Sequence, residues 1–90
     1  MPSYLIETYL ARCSDAEREA HERLACSAAA EAARTGAGVS FDGSIHVPED
    51  ELCFFVFAAP TAEAATSVAR QAGLEPLRVV EALASRKENQ

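Results

Sequence analysis

The sequence predicts one α+β domain with the element order β-α-β-β-α-β. Three observations carry that prediction. Two alanine-rich stretches with helical character each lie between segments rich in β-branched, aromatic and aliphatic residues. A Pro-Glu-Asp-Glu turn joins the two middle strands as a hairpin. The chain has 90 residues, the size of one domain.

Tyr4-Leu5-Ile6-Glu7-Thr8-Tyr9-Leu10 has strand composition and is the first strand. Ser14-Asp15-Ala16-Glu17 has the S-x-x-E pattern of a capping box, so a helix is expected to open at Ser14. The run to Thr35 is dominated by good helix formers, and Gly36 is placed to end it. Val39 to Val47 alternates Val39, Phe41, Ile45 and Val47 with Ser40, Asp42, Ser44 and His46, the period of a strand with one covered face. Gly43 marks the place of a bulge. Pro48 to Glu51 form the turn. Leu52 to Ala58 is apolar on both faces, as a central strand is. Thr61 caps a second helix whose Ala62, Ala65, Val68, Ala69 and Ala72 recur at three- and four-residue spacing, and Gly73 stops it. Leu77 to Leu83 is the fourth strand. The domain is expected to span 1–84, with a polar tail over 85–90.

Two βαβ halves joined by a hairpin make the split βαβ, or ferredoxin-like, arrangement. Right-handed crossovers place both helices on one face of a four-stranded antiparallel sheet, in the strand order 4-1-3-2. If Pro48 to Glu51 is a four-residue loop, Val47 lies opposite Leu52 and His46 opposite Cys53. On that parity Phe41, Ile45, Val47, Leu52, Phe54 and Val56 are expected beneath the helices. Asp42, Ser44, His46, Cys53, Phe55 and Phe57 are expected on the open face, joined by Leu5, Glu7, Tyr9, Val79, Glu81 and Leu83. A domain this small rarely leaves such a surface wet, and a second copy packing sheet to sheet is the expected cover.

Composition excludes several functions. The net charge of −6 argues against sequence-independent nucleic-acid binding and against attraction to an anionic membrane. Aromatics are 7% with no Trp, too few for a base-stacking platform. The N-terminus lacks a positive n-region, and no stretch reaches the roughly 18 apolar residues of a membrane span. A cytoplasmic protein is expected. Cys13, Cys26 and Cys53 are odd in number and scattered, which is no disulfide framework. Dinucleotide, P-loop and HExxH fingerprints are absent from the sequence.

The candidate chemistry lies on the expected open face. Glu7, Tyr9 and His46 are expected to form an acid–base set, since shielding favours the protonated form of a carboxylate and an imidazole serves as a general base. Asp42, Phe55, Phe57 and Glu81 would line a ligand space around them. The same polar residues equally suit hydrogen bonds across a dimer interface. His46 with Cys53 is the one cross-strand pair to consider for a metal, two ligands where a closed zinc site needs four. His21 lies on the apolar side of the first helix and reads as a core or interface histidine. The three thiols read as inert, and Glu49-Asp50-Glu51 as a solvated turn.

The opening Pro2-Ser3-Tyr4-Leu5-Ile6-Glu7, the hairpin Ile45-His46-Val47-Pro48-Glu49-Asp50-Glu51-Leu52-Cys53, the junction Phe57-Ala58-Ala59-Pro60 and the segment Ala72-Gly73-Leu74 resemble one family. It is a domain-of-unknown-function group of small bacterial ferredoxin-like proteins, some of whose members are described as nickel-binding. The resemblance covers positions 2 to 83, and its motifs are structural. It implies a homodimer whose sheets form an α+β barrel. Many members carry a His shortly before the Gly of the Ala-Gly-Leu segment. Here Ser67-Val68-Ala69-Arg70 holds none, so no nickel or other resident cofactor is expected.

Two functional readings follow. One is a small homodimeric binding protein whose inter-sheet cavity takes a small molecule or a divalent metal. The other is a cofactor-independent enzyme of the dimeric α+β barrel kind, a monooxygenase, isomerase or cyclase.

Overall fold

A computed structural model describes residues 1–83. The elements are β1 (Ser3–Tyr9), α1 (Asp15–Arg34), β2 (Ser40–Val47), β3 (Leu52–Ala58), α2 (Ala62–Gln71) and β4 (Arg78–Ala82). A single 3-10 turn, Pro48–Asp50, joins β2 to β3. The expected polar tail lies outside the described residues. The strands form one antiparallel sheet in the order β2-β3-β1-β4. Both helices lie on one face, α1 over β2 and α2 over β1 and β4, and they touch each other. This is the ferredoxin-like arrangement. Among the described residues no helix is long and apolar enough to cross a membrane.

The core explains the architecture. The helices bury only small side chains near the sheet: Ala25, Ala29 and Ala32 from α1, with Ala65, Val68 and Ala69 from α2. Small residues let the helices approach closely, so the sheet must supply the volume. It does so with Tyr4 and Ile6 from β1 and with Phe55 and Phe57 from β3, the latter two without exposed surface. Phe41 packs on both phenylalanines, with ring centroids 6.3 and 5.2 Å away.

The hairpin register is the expected one, with Val47 opposite Leu52 and His46 opposite Cys53. The assignment of faces is reversed. Cys53, Phe55 and Phe57 point to the helices, while Leu52, Phe54 and Val56 are half-buried on the open side. Val79 pairs with Ile6 and Glu81 with Tyr4, so these two also belong to the helix side, and Val80 takes their place on the open face. Phe41 is helix-facing as expected, but it reaches that side through a bulge. The register slips between Phe41 and Gly43, leaving Asp42 as the extra residue. Gly43 has φ 133°, a conformation that a side chain would strain.

Helix ends follow the turn chemistry with one exception. α2 closes in a Schellman motif: Leu74 N–H donates to the Ala69 carbonyl at 3.0 Å and Gly73 N–H to the Arg70 carbonyl at 3.0 Å. Gly73 supplies the φ of 87° that the motif needs, and Leu74 tucks into the core. α1 ends by the same pattern, from Ala37 and Gly36 to Ala32 and Ala33. At its start the expected capping box is not formed. The chain enters α1 through Cys13 at φ 60°, and Ser14 (φ −111°, ψ 42°) lacks the extended geometry that aims a hydroxyl at the helix amides. Its hydroxyl donates weakly to the Arg12 carbonyl instead, at 3.5 Å. Thr61 is extended (φ −144°, ψ 162°) and accepts from Ala64 N–H at 3.1 Å. Thr61→Ala is therefore expected to cost about 1 kcal/mol, whereas Ser14→Ala should leave the urea midpoint nearly unmoved. Equal shifts for the two variants would contradict these cap geometries.

Candidate functional site

Among the described residues, three places bring together side chains that can do chemistry. The first is the open sheet face. Alternation in β1 sends Leu5 and Glu7 away from the helices, and cross-strand pairing sets Glu7 beside Phe54 and Arg78. Arg78 Nε donates to Glu7 Oε1 at 3.2 Å. The carboxylate is the shielded partner, with 15% of its side chain exposed against 68% for Arg78. Around this pair stand Leu5, Ile45, Val47, Leu52, Phe54, Val56 and Val80. All are half-buried except Ile45, which is 54% exposed on the edge strand β2. Tyr9 also lies on this side, 61% exposed at the end of β1, and its hydroxyl donates to Glu51 Oε1 at 3.5 Å.

The expected acid–base set is not assembled. Glu7 and Tyr9 face away from the helices, His46 faces toward them, and β3 separates the two strands. Phe55 and Phe57 are interior and line no open-face pocket. Asp42 is an exposed bulge residue near Ser40, whose hydroxyl donates to it at 3.5 Å. Glu81 is exposed on the edge strand β4.

The second place is a polar cluster beneath α1. His46 and Cys53 are cross-strand neighbours there, as expected. Burial pushes the Cys53 thiol up to about 11; Arg18 pulls it down, Glu22 pushes it up and a hydrogen bond with Ser44 pulls it down. The Ser44 hydroxyl also donates to the Glu22 carboxylate. The His46 Nε2 and Arg18 Nε atoms are buried with no hydrogen-bond partner among the described residues. Sequence reading missed Arg18 and Glu22. The available signal was their spacing, since positions 18, 22, 25 and 29 share the helix face that buries Ala25 and Ala29. Among the described residues no three His, Cys, Asp or Glu side chains gather to hold a metal, and His46 with Cys53 remains a pair. A neutral, inaccessible thiol is a poor nucleophile. Cys13 and Cys26 are exposed. A disulfide reagent at pH 8 should therefore titrate two thiols in the native protein and the third only on unfolding; three fast thiols would show that Cys53 is accessible.

The third place is a cleft of about 540 Å³ between the end of β1, the first half of α1 and the α2–β4 loop. Thr8, Tyr9, Glu17, His21 and the stretch from Gly73 to Leu77 line it. His21 is half-buried and meets Phe55 edge-on, with ring centroids 6.1 Å apart and planes at 88°. It thus joins the core to the cleft. Thr8 is committed inward, its hydroxyl donating to the Cys53 carbonyl at 3.0 Å.

In structure the chain is similar to SCO4226 of Streptomyces coelicolor A3(2), known from a crystal structure. The TM-score is 0.67 at 20% sequence identity, over 93% of this chain and 99% of the other. No family model matches the sequence, and neither does any curated protein. At that identity the likeness establishes the ferredoxin-like fold that positions these three places.

Proposed function

We propose that this protein is a homodimeric binding module whose two open sheet faces pack together and enclose a small-molecule site. The observation that carries the proposal is the bare apolar face built from Leu5, Ile45, Phe54, Val56 and Val80. One layer of helices covers one side of the sheet, and among the described residues no element covers the other. Four strands about 4.8 Å apart and roughly seven residues long give about 19 by 23 Å. That is roughly half of the ~800 Å² per partner of a standard interface before side-chain relief and rim loops are added. A two-fold axis makes the face its own partner and closes the assembly.

The Glu7–Arg78 pairs would be the polar features of the space between the sheets, set in apolar walls. A ligand with an apolar body and one polar group suits that lining. A divalent metal suits it less, because Glu7, the carboxylate set among the apolar walls, is already paired with Arg78. The enzyme alternative needs Glu7, Tyr9 and His46 in one pocket, and the register separates them. Two exposed free thiols favour a reducing, cytoplasmic setting. Sedimentation should give twice the chain mass at micromolar concentration, and native mass spectrometry of cell-purified protein should show a retained small molecule on the dimer. A monomer at tens of micromolar overturns the proposal.

A further inference from the structure

The geometry of the cleft between β1, α1 and the α2–β4 loop points to a second binding site, for a small organic cation: an ammonium or guanidinium group on a short apolar body. The cleft's volume of about 540 Å³ lies within the range of small-ligand pockets, roughly 300–1,000 Å³. Its charge is one-sided. Glu17 stands on the α1 wall and Glu75 on the loop wall, and among the described residues no Lys or Arg lines the space. Among the described residues neither carboxylate makes a hydrogen bond or an ion pair, so both remain available to a ligand. His21 sits one helical turn beyond Glu17 on the same face, held edge-on by Phe55.

The rest of the lining suits a carbon body. Leu74 and Pro76 form an apolar wall, and Leu77 stays 62% exposed beside it. Tyr9, at the end of β1, borders the mouth. The wall is also preformed. The Schellman motif fixes Gly73 and Leu74, and Leu77 N–H donates to the Glu7 carbonyl at 2.7 Å. Such anchoring lowers the ordering cost of binding. A bare metal ion needs three donors converging on one point, and none of the described residues gather so. An organic cation accepts acceptors spread along a cleft. The cleft lies at the end of β1 and on the helix side, so this inference stands whatever the oligomeric state.

Agmatine is the probe, followed by amide chemical shifts in the full chain. Saturable shifts confined to Glu17, His21, Glu75 and Leu77 are expected. The isosteric double variant Glu17→Gln, Glu75→Gln should weaken binding at least about tenfold, since each exposed carboxylate contributes on the order of one charge-assisted contact. Butyrate and n-butanol at equal concentration should leave these amides unmoved. Unchanged affinity in the double variant, or equal shifts with n-butanol, overturns the proposal. Saturation by nickel or zinc alone, lost in His21→Ala, overturns it in favour of a metal site. Unaltered thermal melting of the double variant shows that any loss of binding is local.

Discussion

Phe55→Ala is expected to destabilise the protein by about 3–5 kcal/mol, a large share of the roughly 5–15 kcal/mol that holds a domain folded. Phe55 sits in a central strand with no exposed surface, against Phe41 and the edge-on ring of His21. The helix residues buried above the sheet are mostly alanines, which have no rotamers with which to fill a void. The cavity therefore persists, and the transfer and cavity terms add. Urea unfolding should show a midpoint moved far down with an unchanged slope. A loss under about 1 kcal/mol would mean that the core is not organised around this ring.

Local chemistry made much of this fold legible. The order of elements, the hairpin register and the glycine ends of both helices depend on residues close in sequence, and all three are as read. The face of the sheet was not legible, for two physical reasons. β3 reads Leu52-Cys53-Phe54-Phe55-Val56-Phe57-Ala58, so its alternation carries no polarity. Glu7 does mark the open side of β1, but no turn links β1 to β3. Their pairing sets Glu7 opposite Phe54 rather than Phe55, and only tertiary packing decides that. One slip of parity thus moved Phe55, Phe57 and His46 across the sheet together. The Ser14 cap failed for a different reason: the S-x-x-E pattern specifies side chains, whereas the cap needs an extended backbone that the left-handed Cys13 does not deliver. Glu75 shares a cleft with Glu17 and His21 only because the loop after α2 and the first half of α1 border the same space, a juxtaposition that no local spacing encodes.

The neighbouring residue gives the opposite experiment. Phe54→Glu is expected to dissociate the dimer while leaving the monomer folded. Phe54 lies mid-sheet on the open face, opposite Glu7 on one side and Ile45 on the other. In a monomer the new carboxylate stays hydrated, and its cost is the lost ring contact plus repulsion from Glu7 across the strands. In the proposed dimer two such carboxylates enter an apolar seam without partners, which is far more costly. Phe54 is already half-buried in the monomer, so each lost ring removes about a third of the full burial energy, up to about 1 kcal/mol. The two rings therefore weaken the dimer by roughly one decade before the charges are counted, because about 1.4 kcal/mol is tenfold. Light scattering at micromolar concentration should fall to one chain mass, with the far-ultraviolet spectrum retained. Ile45→Glu, at a more exposed edge position, provides the same reading if Phe54→Glu fails to fold. A folded variant of either kind that keeps the dimer mass would place the interface elsewhere, because no seam through Phe54 and Ile45 can hold a pair of unpartnered carboxylates without losing most of its affinity.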